Sequence, residues 1–254
     1  MLSRWLDTRT LDPAAVTVVD PARADAPAST VLLHEIPEDV TPADTLLIGV
    51  KPQSLSEIAP AAARLVDGRT TILSILAGVE RQALAALFPD ARRIVRVMPN
   101  LPVRFGKGVV AVQAEHGPFA DIDALMAPLG LVEWIGEEDF ALVTALSGSG
   151  PAFIYRFIDA LAEGATQLGL EPGLARRMAG ATAEGAAIAA AQSEEPPAVL
   201  ADRVASKGGS TRMGLDVLDA EGALASLVAC TLDAARRRNI ELGTVAAGGA
   251  DLPG

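Results

Sequence analysis

The feature that most constrains this chain is a change of period near its middle. Up to about Glu137, short runs of apolar and β-branched residues alternate with stretches whose apolar residues recur every three or four positions. Residues 15–20, 30–33, 45–50, 71–76 and 93–98 read as strands, with 109–112 and 131–135 as later ones. Residues 55–65 and 79–87 read as helices between them. The run at 45–50 is apolar at nearly every position, so a strand there is covered on both faces. Such alternation predicts βα units around a buried parallel sheet. Beyond Glu137 the two-residue period disappears. Residues 141–146, 151–168, 171–192, 198–204 and 222–242 all read as helices. Pro151 suits a first helical turn, and Gly169 and Gly243 are natural helix stops. Residues 248–254 are expected to form a loose tail. The chain therefore divides into an α/β part, residues 1–137, and an all-helical part, residues 138–254.

Composition narrows the function. Half of the 254 residues are apolar but only 4% are aromatic, so the cores are built from Ala, Val, Leu and Ile. A net charge of −11 argues against nucleic acid as a partner. Cys230 is the single cysteine, which excludes an intrachain disulfide and fits a reducing compartment. His34 and His116 lie far apart, so no His/Cys metal site is expected. The most membrane-like run, residues 174–191, is broken by Arg176, Arg177 and Glu184. The first residues lack the parts of a signal peptide, and a soluble cytoplasmic protein with no membrane partner is expected.

Three loops hold candidate chemistry. Val50-Lys51-Pro52-Gln53 follows the third strand, at the carboxyl end where doubly wound sheets bind ligands. Taken alone, the segment is better explained as a plain strand–helix turn with a solvated lysine. Arg96-Val97-Met98-Pro99-Asn100-Leu101-Pro102 ends another strand in an extended loop. Its Asn100 amide suits a nicotinamide or ribose, while the bland reading is a rigid turn. Ser206-Lys207-Gly208-Gly209-Ser210-Thr211 leads into a helix start, where backbone N–H groups bind anions. Ser210 or Thr211 as an N-cap is the structural alternative. Cys230 reads as a small core residue, and the arginines at 236–238 as cations in a helix's last turns. The Ala-rich helix allows close helix approach, inside a core or between subunits.

Together the motifs resemble the pyrroline-5-carboxylate reductase family. The matching segments are Ile48-Gly49-Val50-Lys51-Pro52-Gln53, Ser74-Ile75-Leu76-Ala77-Gly78-Val79 and the run from Arg96 to Pro102. Ala145-Leu146-Ser147-Gly148-Ser149-Gly150-Pro151-Ala152 and the loop at 206–211 complete the set, in family order. The resemblance implies a Rossmann-like dinucleotide-binding domain over residues 1–137. It implies a helical substrate-binding and dimerisation domain over 138–254, interlocked with a second subunit that helps complete each active site. It places the nicotinamide near Val50, Lys51, Pro52, Ala77, Gly78 and Asn100, and the substrate on Ser206, Gly208, Gly209, Ser210 and Thr211. Thr211 is the implied catalytic residue, and Glu194 falls near an acidic family position.

Three departures stand out. Lys207 and Leu101 replace the family's usual proline and threonine. The family's first strand and Gly-x-Gly-x-x-Gly turn are not present, and residues 1–6 already resemble the helix that follows that turn. The expected fold is thus a Rossmann-like domain lacking its first strand, with Met1 read as an internal methionine or a truncation point. The implied reaction is reduction of 1-pyrroline-5-carboxylate to L-proline, by NADPH with NADH possible. Asp20 suits an NADH 2′-hydroxyl, whereas Arg23 suits a 2′-phosphate. A related imine or β-hydroxyacid reductase, or a dimeric homologue without cofactor binding, are the alternatives.

Overall fold

The computed structural model describes residues 1–248, so the expected tail at 249–254 lies outside the described residues. It contains two compact units. One holds Met1–Ser149 together with the chain from Ala234, and the other holds Gly150–Asp233. This division differs from the boundary expected at residue 137.

The first unit opens with α1 (Leu2–Asp7). Trp5 is buried within it, and its indole Nε1 donates to the Leu125 carbonyl at 2.6 Å. Arg4 Nε reaches the Pro128 carbonyl at 3.0 Å. These contacts dock the first helix onto residues more than a hundred positions away. Replacing Trp5 with phenylalanine removes the only indole donor to Leu125 and leaves a void. We expect a loss of about 2–3 kcal/mol in urea unfolding. An unchanged midpoint would show that α1 does not dock in solution.

Next come β1 (Thr17–Val19) and β2 (Val31–Leu33), which pair in parallel as a separate two-stranded sheet. Then follow β3 (Thr45–Ile48), α2 (Leu55–Ala62), β4 (Thr71–Ser74), α3 (Arg81–Leu87) and β5 (Arg93–Pro99). After these lie β6 (Gly108–Ala114), α4 (Ala120–Met126) and β7 (Gly130–Trp134). The second sheet has the order β3-β4-β5-β6-β7. Each expected strand is present, most of them shorter than read. Among the described residues, no strand pairs with the β1 edge away from β2 or the β3 edge away from β4.

The sheet is not wholly parallel as expected, because β6 runs antiparallel to β5. The link between them, a 3₁₀ turn at Leu101–Phe105 and its flanks, is too short for a crossover. A parallel return needs a dozen or more residues. β6 to β7 is parallel again, with α4 as the crossover.

The two faces of the sheet build two cores. Leu73, Val95, Val97, Val110 and Val112 pack with Trp5, Ile122 and Met126. Ile48, Ile72 and Leu76 pack with Leu55, Ala59, Leu84 and Phe88. Adjacent residues such as Ile72 and Leu73 enter opposite cores, which is the period of a strand covered on both sides.

α5 (Phe140–Val143) continues into a π-helical turn at Thr144–Gly148. Phe140 and Val143 pack with Met98 and Ala111, so this stretch stays with the sheet. That packing explains why the first unit extends past residue 137.

The second unit begins at α6 (Gly150–Gln167), followed by α7 (Pro172–Gln192), α8 (Pro197–Val204) and α9 (Ser210–Asp219). The first part of α10 (Ala223–Gly248) completes it. Gly169 ends α6 with φ +103°, as expected of a helix stop. Glu171 caps α7, accepting from the N–H groups of Gly173 at 2.7 Å and Leu174 at 2.6 Å. Those backbone donors hold its carboxyl below the ordinary range.

Small residues join α6 to α7: Ala162, Ala175 and Ala179 form the buried contact. Larger apolar side chains are left exposed on this chain, including Ile154, Phe157, Met178, Ile188 and Leu227. Cys230 is exposed as well, rather than in a core as expected. α10 passes through Gly243, the expected stop, and runs to Gly248. The arginines at 236–238 therefore lie well before the helix end, and the expected dipole role does not apply to them. Among the described residues, no helix is long and apolar enough to cross a membrane.

Candidate active site

β3, β4 and β5 are adjacent and parallel, so their carboxyl ends lie on one edge of the sheet. Ligands of open α/β sheets bind outside that edge. Here it carries Val50, Lys51 and Pro52 after β3, Ala77 and Gly78 after β4, and Asn100 after β5. The fold thus brings the six candidate cofactor residues, scattered over fifty positions, to one place.

Each loop has a local cause. Lys51 precedes a 3₁₀ turn whose first residue is Pro52, and its side chain is exposed. Gly78 adopts φ +77°, a left-handed conformation that disfavours side chains. A Cβ there would lie 2.7 Å from the Gly243 nitrogen. The late turns of α10 therefore rest directly on the β4 turn, backbone against backbone.

The Asn100 amide already bonds within the protein. Its Nδ2 donates to the Ser147 carbonyl, and its Oδ1 accepts from the Val109 N–H, both at 2.9 Å. The amide expected to face a nicotinamide is engaged by the protein itself.

Two buried polar residues went unnoticed in the sequence. Arg96 lies on β5 opposite Gln113 of β6, with Ser74 of β4 on its other side. The Arg96 guanidinium is ion-paired with Glu137 and stacked on Phe140, 3.7 Å from the ring centroid. Burial lowers the pKa of Arg96, while Glu137 and Glu80 oppose that shift. Arg96 Nε and Gln113 Oε1 are buried without a hydrogen-bond partner. The one signal in the sequence was a charge in the middle of an apolar strand pattern. Two open cavities, of about 210 and 320 Å³, share Arg81, Ala114 and Glu115, and Glu80 and Glu137 line the second.

In the second unit, Gly208 has φ +73° and Gly209 is the N-cap of α9. A Cβ on Gly209 would lie 2.5 Å from the rotatable Ser206 Oγ and 3.1 Å from the Ser206 carbonyl oxygen, so the turn is tight there. No side chain caps α9. The expected capping by Ser210 or Thr211 does not occur, because both residues are already inside the helix. The first-turn N–H groups are therefore open to an outside acceptor. Thr211 is the second helical residue and is exposed, as are Ser206, Lys207 and Ser210. Arg212 is ion-paired with Asp202 and, at 3.8 Å, with Asp216. Glu194 is exposed. Asp20, after β1, accepts from the Ala22 N–H at 2.9 Å. Among the described residues, no group of three or more His, Cys, Asp or Glu side chains is placed to hold a metal ion.

Known proteins are similar to this chain. A pyrroline-5-carboxylate reductase of Synechocystis is 35% identical over 252 residues, covering 96% of this chain and 93% of the relative. The chain belongs to the pyrroline-5-carboxylate reductase family. Residues 137–242 match the family model described as pyrroline-5-carboxylate reductase dimerisation. The Pseudomonas aeruginosa member is 34% identical over 210 residues, covering 81% of this chain and 77% of its own. Among solved structures, the family member from Coxiella burnetii superposes with a TM-score of 0.84. It is 28% identical, with 95% of this chain and 93% of that one covered. A Plasmodium falciparum pyrroline carboxylate reductase, solved with NADP bound, shares the fold with a TM-score of 0.81 at 22% identity. That match covers 94% of this chain and 92% of the other.

Proposed function

We propose that this protein reduces 1-pyrroline-5-carboxylate to L-proline, with NADPH as the preferred hydride donor and NADH accepted. The observation that carries this reading is its 35% identity to a pyrroline-5-carboxylate reductase along nearly the whole chain. The edge formed by β3, β4 and β5 supports it by gathering Val50, Lys51, Pro52, Ala77, Gly78 and Asn100. That edge suits a flat pyridine ring, because Ala77 and Gly78 are small.

The reduced nicotinamide supplies a hydride, which adds to the ring carbon of the substrate C=N bond. The imine nitrogen enters protonated, so the addition yields neutral secondary amine without a strong acid from the protein. The chain's contribution is orientation and charge complementarity. The uncapped N-terminus of α9 offers N–H groups to the substrate carboxylate, and the Thr211 hydroxyl hydrogen-bonds the substrate beside them. Gly208 and Gly209 let the backbone approach it closely, with Ser206 and Ser210 at the rim.

The working form in this reading is a homodimer or a larger assembly of dimers. The match to the dimerisation model and the exposed apolar side chains of the second unit support it. A cytoplasmic location belongs to the same reading.

The test is to follow NADPH oxidation on adding pyrroline-5-carboxylate and to identify proline as the product. NADPH binding without any turnover of this substrate would overturn the assignment.

A further inference from the structure

The Asn100 amide bridges three segments of the first unit. It ends β5, accepts from the first residues of β6 through Val109, and donates to Ser147 in the π-helical turn. That turn is otherwise held by its own side chains. Thr144 Oγ1 donates to the Phe140 carbonyl at 2.7 Å, and Ser147 Oγ donates to the Val143 carbonyl at 2.8 Å. Ser149 N–H closes the wide i→i+5 ring onto Thr144 at 3.1 Å. A π-helical turn is less favourable than an α-helical one and persists where its surroundings enforce it. The enforcing contacts are close by. Met98, two residues before Asn100, packs with Phe140 and Ala111, and Ala77 of the β4 turn joins the same cluster.

We infer that Asn100 is a positioning residue: its amide locks the 144–148 turn against the strand edge and so fixes the floor on which the nicotinamide reacts. It does this without contacting the cofactor through its side chain. The inference rests on the reductase reading above and refines it, because that reading placed Asn100 among the cofactor contacts.

The two halves of the amide can be separated. Asn100→Ala loses both bonds. Asn100→Asp keeps an acceptor for the Val109 N–H but, when ionised, sets a negative charge against the Ser147 carbonyl. When protonated, the new carboxyl donates to Ser147 and restores both bonds. The facing Ser147 carbonyl favours the protonated form of that carboxyl and the Val109 N–H the ionised form.

Both variants are expected to lower kcat at neutral pH by tenfold or more, on the order of what small misplacements cost. The Kd for NADPH, read by nicotinamide fluorescence, and KM for pyrroline-5-carboxylate should stay within about threefold. Acidification should raise the kcat of Asn100→Asp relative to wild type, and leave that of Asn100→Ala unrescued. Amide hydrogen exchange at Ser149 should accelerate in both variants at neutral pH. Wild-type turnover by Asn100→Asp at neutral pH would overturn the inference. So would a loss of NADPH affinity matching the loss of kcat, which would mark a direct contact. Should the wild-type chain show no turnover, the reductase reading falls by itself, and Ser149 exchange decides the clip: unchanged exchange in Asn100→Ala overturns it.

Discussion

Replacing Thr211 with valine is expected to lower kcat for pyrroline-5-carboxylate reduction by about two orders of magnitude, on the scale of losing one well-placed hydrogen bond at a reacting centre. Valine keeps the volume and branching of threonine and removes only the hydroxyl. Thr211 is exposed at the second position of α9 and makes no hydrogen bond that the helix needs. The melting temperature should therefore stay close to that of the wild type. Thr211→Ser, which keeps the hydroxyl, should recover most of the rate. The open N–H groups of the α9 first turn are intact in both variants, so substrate binding should suffer less than turnover. Equal kcat values for wild type and Thr211→Val would remove the hydroxyl from the mechanism.

The largest effect on stability is expected at Gly78. Its φ of +77° costs about 1–2 kcal/mol for a residue with a side chain. An added Cβ would also meet the Gly243 nitrogen at 2.7 Å and the Leu242 carbonyl carbon at 3.0 Å. These are backbone atoms within a helix and do not swing aside. Gly78→Ala should therefore cost about 3 kcal/mol, combining strain with overpacking. For a chain of this size that is a fall of roughly 6–12 °C in Tm. Gly243→Ala makes the reciprocal collision, with its Cβ 2.6 Å from the Gly78 carbonyl oxygen. One displacement of α10 relieves both clashes, so the double variant should lose less than the sum of the single losses. A Gly78→Ala protein with the wild-type Tm would mean that α10 does not rest on this turn in solution.

Much of the architecture was legible because strands covered on both faces leave a continuous apolar signature. Ile72 and Leu73 enter opposite cores, and both had to be apolar. The helices were legible in the same way, from the spacing of Phe153, Phe157 and Leu161 on α6. The antiparallel course of β6 was also present in principle, in the shortness of its link to β5. The motifs fall together on one set of strand ends, since loop position follows from strand order.

Other features depended on contacts between distant residues. Asn100 has the right chemistry for a ligand, and no local pattern reveals that Ser147 and Val109 have already engaged its amide. Arg96 is a charge on an apolar strand, and its partners Glu137 and Phe140 lie more than forty positions away. Cys230 reads as core because its helix is apolar, yet its own chain leaves it exposed.

Gly243 states the division most clearly. Local propensity makes a glycine near the end of a helix a stop, and that was its reading. In the fold the helix continues through it, because a residue without Cβ is what lets α10 touch the Gly78 turn. The sequence by itself determined the strands, most of the helices and the loops that follow the strand ends, since each follows from periodicity or backbone freedom within a few residues. Tertiary structure alone decided what Gly243, Asn100 and Arg96 do, because each has a partner forty or more positions away, brought close only by packing.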